Sequence, residues 1–241
     1  MEALKGPTFR PLYQQIKELL LERIASGEWS PGTFIPSEAA LAASYNVSVG
    51  TLRKALNELV AESIVIRQQG KGTAVATHDA DSALFRFFNI RRHDGSRCLP
   101  VSLVLSRVLR KANADEIREL NLESGAKVIY IQRVRELDDK PAVLESIALD
   151  AKRFGELRTQ PEVLPNTLYH LYQQRFGATV AHADETLVAI KANDTEVKYL
   201  GAEPGEPLLE IRRIARDYQD QPIERRISVV LTRDYSYSNR V

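Results

Sequence analysis

The chain has 241 residues and a formal net charge of +1, and its 44% hydrophobic and 27% charged residues exclude a disordered protein. No apolar run reaches the roughly 18 residues of a membrane helix, and residues 1–10 lack a signal-peptide core, so we expect a cytoplasmic protein without a membrane partner. The single cysteine, Cys98, excludes an internal disulfide and a zinc site built from several cysteines. We also expect no bound metal, no cofactor and no catalytic residue.

The first third of the chain has the pattern of a helical domain followed by a hairpin. Apolar residues at three- and four-residue spacings between 12 and 24 predict a first helix. Ser37 is a predicted N-cap for a short second helix, and Ser48 caps a third after a tight turn. The β-favouring run 64–68, the turn 69–72 and the run 73–76 predict a hairpin. This order is that of a winged helix-turn-helix, whose third helix enters the DNA major groove.

Small polar residues at 77–83 interrupt the apolar patterns and indicate a linker. We therefore predict a DNA-binding domain at 1–77, a linker at 78–83 and a second domain at 84–241. The second domain is predicted to be α+β with an antiparallel sheet, because hairpins alternate with helices. Its predicted strands are 128–135, 142–149, 180–190, 208–218 and 223–231, its predicted helices are 114–120, 167–175 and 194–200, and 138–141 is a predicted hairpin loop.

Local charge supports DNA binding around the third helix and the wing. Residues 47–73 hold four basic and two acidic side chains, a local charge of +2. Hydroxyls at a helix N-terminus can hold a phosphate or serve as caps alone, and a Gly-Lys-Gly wing tip either approaches the minor groove or forms an ordinary turn. The candidate DNA contacts are Ser37, Ser48, Val49, Gly50, Thr51, Arg53, Lys54, Gly70, Lys71 and Gly72.

Several short motifs in order resemble the N-terminal signature of the GntR family of bacterial transcription regulators. They are Pro11–Ile16, Ser26–Gly32, Ile35–Glu38, Val47–Ser48, Thr51–Leu56 and Gln69–Thr73. The later part resembles the UTRA effector domain of the HutC subfamily through Arg133–Arg135, Lys140–Pro141, Glu145, Asn166–Tyr169, Gly205–Leu208 and Pro222–Glu224. The resemblance implies a fold similar to chorismate lyase and dimerisation through this domain.

Two positions depart from the resembled pattern. Most relatives carry arginine where this chain has Ala39 and Val49, and those arginines contact DNA in members of the family. Their absence leaves the operator sequence open. Gly50 offers a closer approach to the bases, and Val49 can pack on a thymine methyl group.

Arg133 and Arg135 lie two residues apart on one predicted strand and therefore share a face, with Glu145 on the paired strand. Two converging arginines need an anion, which either a small acidic effector or Glu145 itself supplies. The resemblance to the UTRA domain favours an effector. It also implies pocket positions for Asn89, Tyr169 and Glu224.

The sequence thus predicts a metabolite-responsive transcription regulator, in most such proteins a repressor. It is expected to bind a pseudo-palindromic operator in double-stranded DNA as a homodimer, with an affinity that a small acidic metabolite changes. Two alternatives stay open. The second domain could act as a lyase-like enzyme on an aromatic acid, or the winged helix could mainly bind another protein.

Overall fold

A computed structural model describes residues 10–62, 64–77 and 87–239. The chain divides into two units, one built mainly on the residues up to Thr77 and the other on those after it. The predicted linker, residues 78–83, lies outside the described residues. No helix in the described part of the chain is long and apolar enough to cross a membrane.

The first unit has three helices and a two-stranded wing. Its elements are α1 (Leu12–Ala25), α2 (Glu38–Ser44), α3 (Val49–Ala61), β1 (Val65–Gln68) and β2 (Gly72–Val75), with β1 and β2 antiparallel. The apolar faces of the helices share one core that includes Ile16, Leu20, Leu52 and Leu56. This order confirms the predicted winged helix-turn-helix.

Both predicted caps are present. The Ser37 Oγ accepts a hydrogen bond from the Ala40 N–H at 3.2 Å, and the Ser48 Oγ accepts from the Thr51 N–H at 3.0 Å. Each bond satisfies a donor that has no partner within its helix, and it therefore fixes where α2 and α3 begin. Asn46, in the left-handed region at φ 53°, lies in the tight turn between these two helices.

The second unit is built on a six-stranded antiparallel sheet in the order β4-β5-β6-β9-β8-β7. Its elements are β3 (Ile90–Arg92), β4 (Val101–Lys111), α4 (Ala114–Glu119), β5 (Lys127–Leu137), β6 (Lys140–Asp150), α5 (Ala151–Phe154), a 3₁₀ turn (Gly155–Arg158), α6 (Leu168–Phe176), β7 (His182–Lys191), α7 (Asp194–Leu200), β8 (Pro207–Arg216), β9 (Pro222–Val230) and β10 (Tyr235–Tyr237). Strands β3 and β10 form a separate antiparallel pair. This arrangement confirms the predicted α+β class.

One face of the sheet carries the main core, and the same face carries the charged site. On β5, Ile129 and Ile131 are buried in the core with residues of α6. Because side chains alternate along a strand, Arg133 and Arg135 follow on the same face. The apolar core therefore continues directly into a cluster of arginines.

Two predictions for the second domain need correction. Strand β4 was missed, because Leu105 is an extra residue at a bulge between Val104 and Ser106 and breaks the apolar alternation. The hairpin loop is shorter than the predicted 138–141. Asp138 and Asp139 alone form the turn, at φ 51° and 59°, and β6 begins at Lys140.

Candidate functional site

The exposed start of α3 presents two hydroxyls side by side. The Oγ atom of Ser48 lies 2.9 Å from the Oγ1 of Thr51, in addition to its capping bond to the Thr51 amide. Ser48 therefore caps the N-terminus of α3 in the structure. The same hydroxyls sit beside the amides of the first helical turn, which is a suitable place for a phosphate oxygen.

Val49 and Gly50 occupy the exposed first turn of α3. Val49 is 40% exposed although it is apolar. A Cβ atom built on Gly50 meets only the Ser48 Oγ, at 3.7 Å, which is ordinary van der Waals contact. No described neighbour therefore requires a glycine inside this helix, although glycine disfavours a helix by about 0.5–1 kcal/mol relative to alanine. A close approach of DNA would explain it.

We expect Gly50→Ala to raise the free energy of unfolding by about 0.5–1 kcal/mol and to weaken DNA binding, because the added methyl group occupies the approach path. Chemical denaturation and fluorescence anisotropy with operator DNA measure the two effects. Gly155→Ala is the matched control, since a Cβ atom at that position meets nothing within 4 Å and the position lies in the other unit. Unchanged DNA affinity in Gly50→Ala would contradict the role assigned to this glycine.

One carboxylate joins the second helix, the third helix and the wing. Glu38 accepts a hydrogen bond from the Arg53 Nε at 2.8 Å and another from the Arg67 Nη2 at 3.2 Å. The Arg53 side chain is 59% exposed, and ion pairs between exposed groups contribute little stability. These ion pairs therefore hold Arg53 and Arg67 only weakly. Arg67 was counted among the basic residues of 47–73 but was not one of the predicted DNA contacts.

Lys54 lies apart from the predicted contacts. Its ammonium nitrogen is 3.8 Å from the centroid of the Tyr13 ring on α1. Successive residues of a helix point about 100° apart, so Lys54 faces α1 while Arg53 faces Glu38. The DNA contact expected for Lys54 stays a prediction.

The wing tip is a tight turn with a basic side chain at its apex. Gly70 and Gly72 have φ values of +73° and +119°, which side-chain-bearing residues rarely adopt, and the Lys71 N–H donates to the Gln68 carbonyl at 3.0 Å. Between the wing and the start of α2 runs a groove of ≈ 460 Å³, and Ser37 lines it. The predicted wing residues therefore stand together at an exposed tip.

In the second unit, five of the six predicted effector residues line one cavity. They are Asn89, Arg133, Arg135, Glu145 and Tyr169. Other lining residues were not predicted, namely Phe87, Phe88, Ile90, Val143, Asn166, Thr167, Leu168, Ile211, Arg213, Arg226, Ser228 and Tyr237. The cavity measures ≈ 40 Å³, against about 10–15 Å³ for one water molecule, so it has room for a group of a few non-hydrogen atoms.

Glu145 lies at the centre of a buried cluster of arginines. Its Oε2 is 2.5 Å from the Arg133 Nε and 3.7 Å from the Arg135 Nη1, and its Oε1 is 3.3 Å from the Arg226 Nη1. Burial by itself raises the pKa of a carboxyl group. Here the guanidinium groups of Arg133 and Arg226 outweigh burial and hold the pKa of Glu145 far below its ordinary value. Glu145 is therefore ionised at neutral pH and is the internal counterion of the cluster.

Glu224 lies behind the cavity and does not line it. Its carboxylate accepts hydrogen bonds from Tyr169 at 3.0 Å, from Tyr172 at 2.8 Å and from the Arg226 Nη2 at 2.8 Å. Glu224 has no exposed surface, and burial followed by its negative charge raises the pKa of Tyr169 to about 12. Glu224 therefore fixes Arg226 and Tyr169, and the expectation that it touches a ligand stays a prediction.

Arg135 is the incompletely satisfied member of the cluster. Its Nε is buried and has no hydrogen-bond partner among the residues that the structure describes. Its Nη2 donates to the Asn166 Oδ1 at 3.2 Å, and its guanidinium carbon lies 5.0 Å from the Phe88 ring centroid. Burial and then the neighbouring Arg133 lower the pKa of Arg135 to about 9, so it stays charged at neutral pH. A buried donor of this kind calls for an acceptor.

The cluster carries an excess of positive charge. Within the described part of the chain it contains four arginines, at 133, 135, 213 and 226, against the carboxylates of Glu145 and Glu224. A third carboxylate, Glu185, pairs with Arg213. Four guanidinium groups against three carboxylates leave one unmatched positive charge. Of these four arginines, the sequence predicted only Arg133 and Arg135. It did not predict Arg213 and Arg226, because they meet through the pairing of β8 and β9.

Asn166 connects the cavity to the beginning of β4. Its Oδ1 accepts from the Ser102 Oγ at 2.7 Å as well as from Arg135, and its Nδ2 donates to the Pro100 carbonyl at 2.6 Å. Its own carbonyl accepts from the Arg133 Nη1 at 3.3 Å. A ligand that engages either arginine therefore competes with the bonds to Asn166, the residue that holds the start of this strand.

Within the described residues, no group of three or more His, Cys, Asp and Glu side chains could hold a metal ion.

Two family models match the chain in sequence. The model described as bacterial regulatory proteins, gntR family, matches residues 12–75, and the UTRA domain model matches residues 99–236.

Similar full-length proteins and solved structures agree with these matches. The chain is 32% identical to the "Probable fructoselysine utilization operon transcriptional repressor" of Escherichia coli K12, across 92% of this chain and 91% of that one. It is 30% identical to the histidine utilization repressor of Pseudomonas aeruginosa, across 86% and 82%. The ligand-binding domain assigned to a GntR-family regulator from Bordetella bronchiseptica is 32% identical with a TM-score of 0.59, and covers 65% of this chain and 98% of its own. PhnF from Mycobacterium smegmatis shares the fold at 23% identity, with a TM-score of 0.55 over 93% of this chain and 98% of its own.

Proposed function

The chain belongs to the GntR family of bacterial regulatory proteins, as a DNA-binding transcription regulator of the HutC subfamily with a UTRA domain, and we propose that it represses a metabolic operon. A homodimer binds a pseudo-palindromic operator and leaves it when a small acidic metabolite enters the cavity around Arg135. The family is one of regulators, so the lyase-like alternative is set aside.

The proposed DNA contacts are groups at the starts of α2 and α3, along α3 and on the wing. They are Ser37, Ser48, Val49, Gly50, Thr51, Arg53, Lys54, Gly70, Lys71 and Gly72, to which Arg67 is added. Support comes from their common exposure and from Glu38, which holds Arg53 and Arg67 within reach of each other. Phosphate contacts of this kind position the protein, whereas Val49 and Gly50 face the bases.

Val49→Arg tests the direction in which position 49 points. Arginine there restores the residue that most relatives carry, so we expect a changed base preference and a higher affinity for sites with guanine, by about 1–3 kcal/mol for a bidentate contact. Competition binding with operators varied at single positions measures it. An unchanged preference would show that position 49 does not face a base.

The unsatisfied Nε of Arg135 is the observation that carries the effector proposal. A carboxylate or phosphate oxygen at this atom completes the hydrogen bonding of the guanidinium and neutralises the excess positive charge. The relatives support an acidic ligand, because fructoselysine, histidine and mannosyl-D-glycerate, which appear in their names, all carry a carboxylate group. The proposed contacts are Asn89, Arg133, Arg135, Glu145 and Tyr169, with Arg226 added and Glu224 as a positioning residue.

Selection of fragments of the source genome by the purified protein, at two salt concentrations, tests the repressor proposal. We expect one palindromic site to be enriched and its binding to weaken with salt, because phosphate contacts release counterions. The genes beside that site then nominate the metabolite. Absence of an enriched site at either salt concentration would contradict the proposal, and salt-independent capture of a protein would favour a protein-binding role.

A further inference from the structure

One amide side chain in the cavity wall joins Arg135 to the beginning of β4. The Asn166 Oδ1 accepts from the Arg135 Nη2 at 3.2 Å and from the Ser102 Oγ at 2.7 Å, while its Nδ2 donates to the Pro100 carbonyl at 2.6 Å. These partners fix the orientation of the amide, because a flipped amide would set its NH₂ group against the Arg135 donor and its oxygen against a carbonyl. We call these three bonds the Asn166 bridge.

The unsatisfied side of Arg135 is the side with which arginine makes two-point contacts to an anion. In Arg226 the Nε and the Nη2 hold the two oxygens of Glu224, at 2.9 and 2.8 Å. In Arg135 the Nε has no hydrogen-bond partner among the described residues, and the Nη2 is bound to Asn166. An anion that contacts Arg135 in the same two-point way therefore needs the nitrogen that the Asn166 bridge uses.

An anion satisfies Arg135 better than the Asn166 amide does. The amide is neutral and reaches one of the two nitrogens, and its 3.2 Å bond to Arg135 is longer than its bonds to Ser102 and Pro100. A carboxylate or a phosphate fills both positions and supplies the negative charge that the arginine cluster lacks. Because a single oxygen of Asn166 binds both Arg135 and Ser102, moving it away from Arg135 also breaks the bond to β4.

The segment that carries Asn166 has a second attachment that does not depend on the cavity. Asn166 lies between the 3₁₀ turn and α6, and in this segment the Pro161 carbonyl accepts from the Arg107 guanidinium of β4 at 2.8 Å. Neither Arg107 nor Pro161 is among the residues that line the cavity. The Asn166 bridge can therefore open while the rest of the segment keeps its place on β4.

We propose that the Asn166 bridge is an internal competitor of the effector, which lowers the affinity of the cavity for anions and so sets the concentration at which the effector acts. The inference deepens the proposed function and rests on the anionic effector proposed there. Each bond of the bridge stabilises the ligand-free arrangement alone. Removing one of these bonds therefore raises the population that can bind an anion and tightens its binding.

Ser102→Ala tests this linkage, because Ser102 belongs to the bridge but is not among the residues that line the cavity. Calorimetry of the full chain with inorganic phosphate should show an affinity about two- to tenfold higher than that of the wild type, the equivalent of one net hydrogen bond. Ser146→Ala is the matched control. The Ser146 hydroxyl accepts from the Tyr130 hydroxyl at 2.9 Å in the same sheet, apart from the cavity and the bridge, so its loss should leave phosphate affinity unchanged.

Two substitutions of Asn166 should shift the phosphate affinity in opposite directions. Asn166→Ala removes the competitor, so binding should tighten about tenfold or more. Asn166→Asp places a carboxylate beside Arg135, so binding should weaken about 10–100-fold. A residue that contacts the anion, or one that only supports the fold, would weaken binding when it is replaced by alanine.

The outcomes separate this inference from the proposed function. Unchanged or weaker phosphate binding in either Ser102→Ala or Asn166→Ala would overturn the bridge as a competitor. The effector cavity would still stand in that case if Arg135→Met loses affinity for phosphate. Phosphate binding that is absent from the wild type, or equal in the wild type and in Arg135→Met, would contradict the cavity itself and the inference with it.

Discussion

Glu145→Gln is expected to destabilise the protein by about 3–5 kcal/mol, because removing one partner of a buried ion pair leaves its charges unmatched. Here the loss affects three arginines at once, since Arg133, Arg135 and Arg226 all converge on this carboxylate. Urea denaturation followed by circular dichroism measures the change. Inorganic phosphate should restore part of the lost stability, because an anion bound in the cavity can pair with the arginines that Glu145 no longer neutralises.

The pH dependence gives this first prediction a definite sign. The pKa of Glu145 in the folded protein lies below its ordinary value of 4.5, so its contribution is complete above that pH and is lost as the pH falls toward the folded-state pKa. The difference between wild type and Glu145→Gln should therefore be largest near neutral pH and shrink in acid.

Glu123→Gln is the matched control for Glu145→Gln. Glu123 pairs with Lys152 at 2.6 Å, but both side chains are largely exposed. The same chemical change there should leave stability unaltered. A stability loss in Glu145→Gln no greater than in this control would contradict the central role of Glu145.

Arg135→Met should weaken the binding of anionic ligands about 10–100-fold, the equivalent of one charge-assisted hydrogen bond of about 1.5–3 kcal/mol. It should leave the fold at least as stable as the wild type, because methionine has a similar length and removes a buried charge that lies among other arginines. Calorimetry with inorganic phosphate and with metabolites of the neighbouring operon measures binding, and thermal unfolding measures stability.

The two readouts together separate a binding role from a structural one. Replacing an arginine that has a structural role would lower the melting temperature of the protein. Replacing an arginine that only binds the ligand would lower the ligand affinity alone. Arg212→Met is the control, because Arg212 lies on β8 with its side chain 56% exposed. Retention of ligand affinity in Arg135→Met would contradict the assignment of the cavity.

The sequence predicts features that depend on neighbours along the chain. The caps Ser37 and Ser48 lie where spacing and helix chemistry require them, and the order of helices and hairpin follows. Alternation along a strand also predicts that Arg133 and Arg135 share a face, because no tertiary information is needed for that step.

Features that depend on distant pairing were not predicted. Arg226 reaches Glu145 only because β9 lies beside β6, and that pairing is not encoded in local spacing. Strand β4 was missed because its bulge breaks the alternation. The contact of Lys54 with Tyr13 was not predicted either, because the count of basic residues around α3 does not say on which side of the helix each one lies.

The central claim is that an acidic metabolite in the Arg135 cavity releases the protein from its operator. Fluorescence anisotropy of the preformed complex between the full chain and labelled operator, titrated with the metabolites of the neighbouring operon, tests it most directly. The account predicts that one acidic metabolite dissociates the wild-type complex, while the Arg135→Met complex stays bound at the same concentration. Dissociation of both complexes at equal concentrations, or a wild-type complex that no acidic metabolite affects, would contradict it.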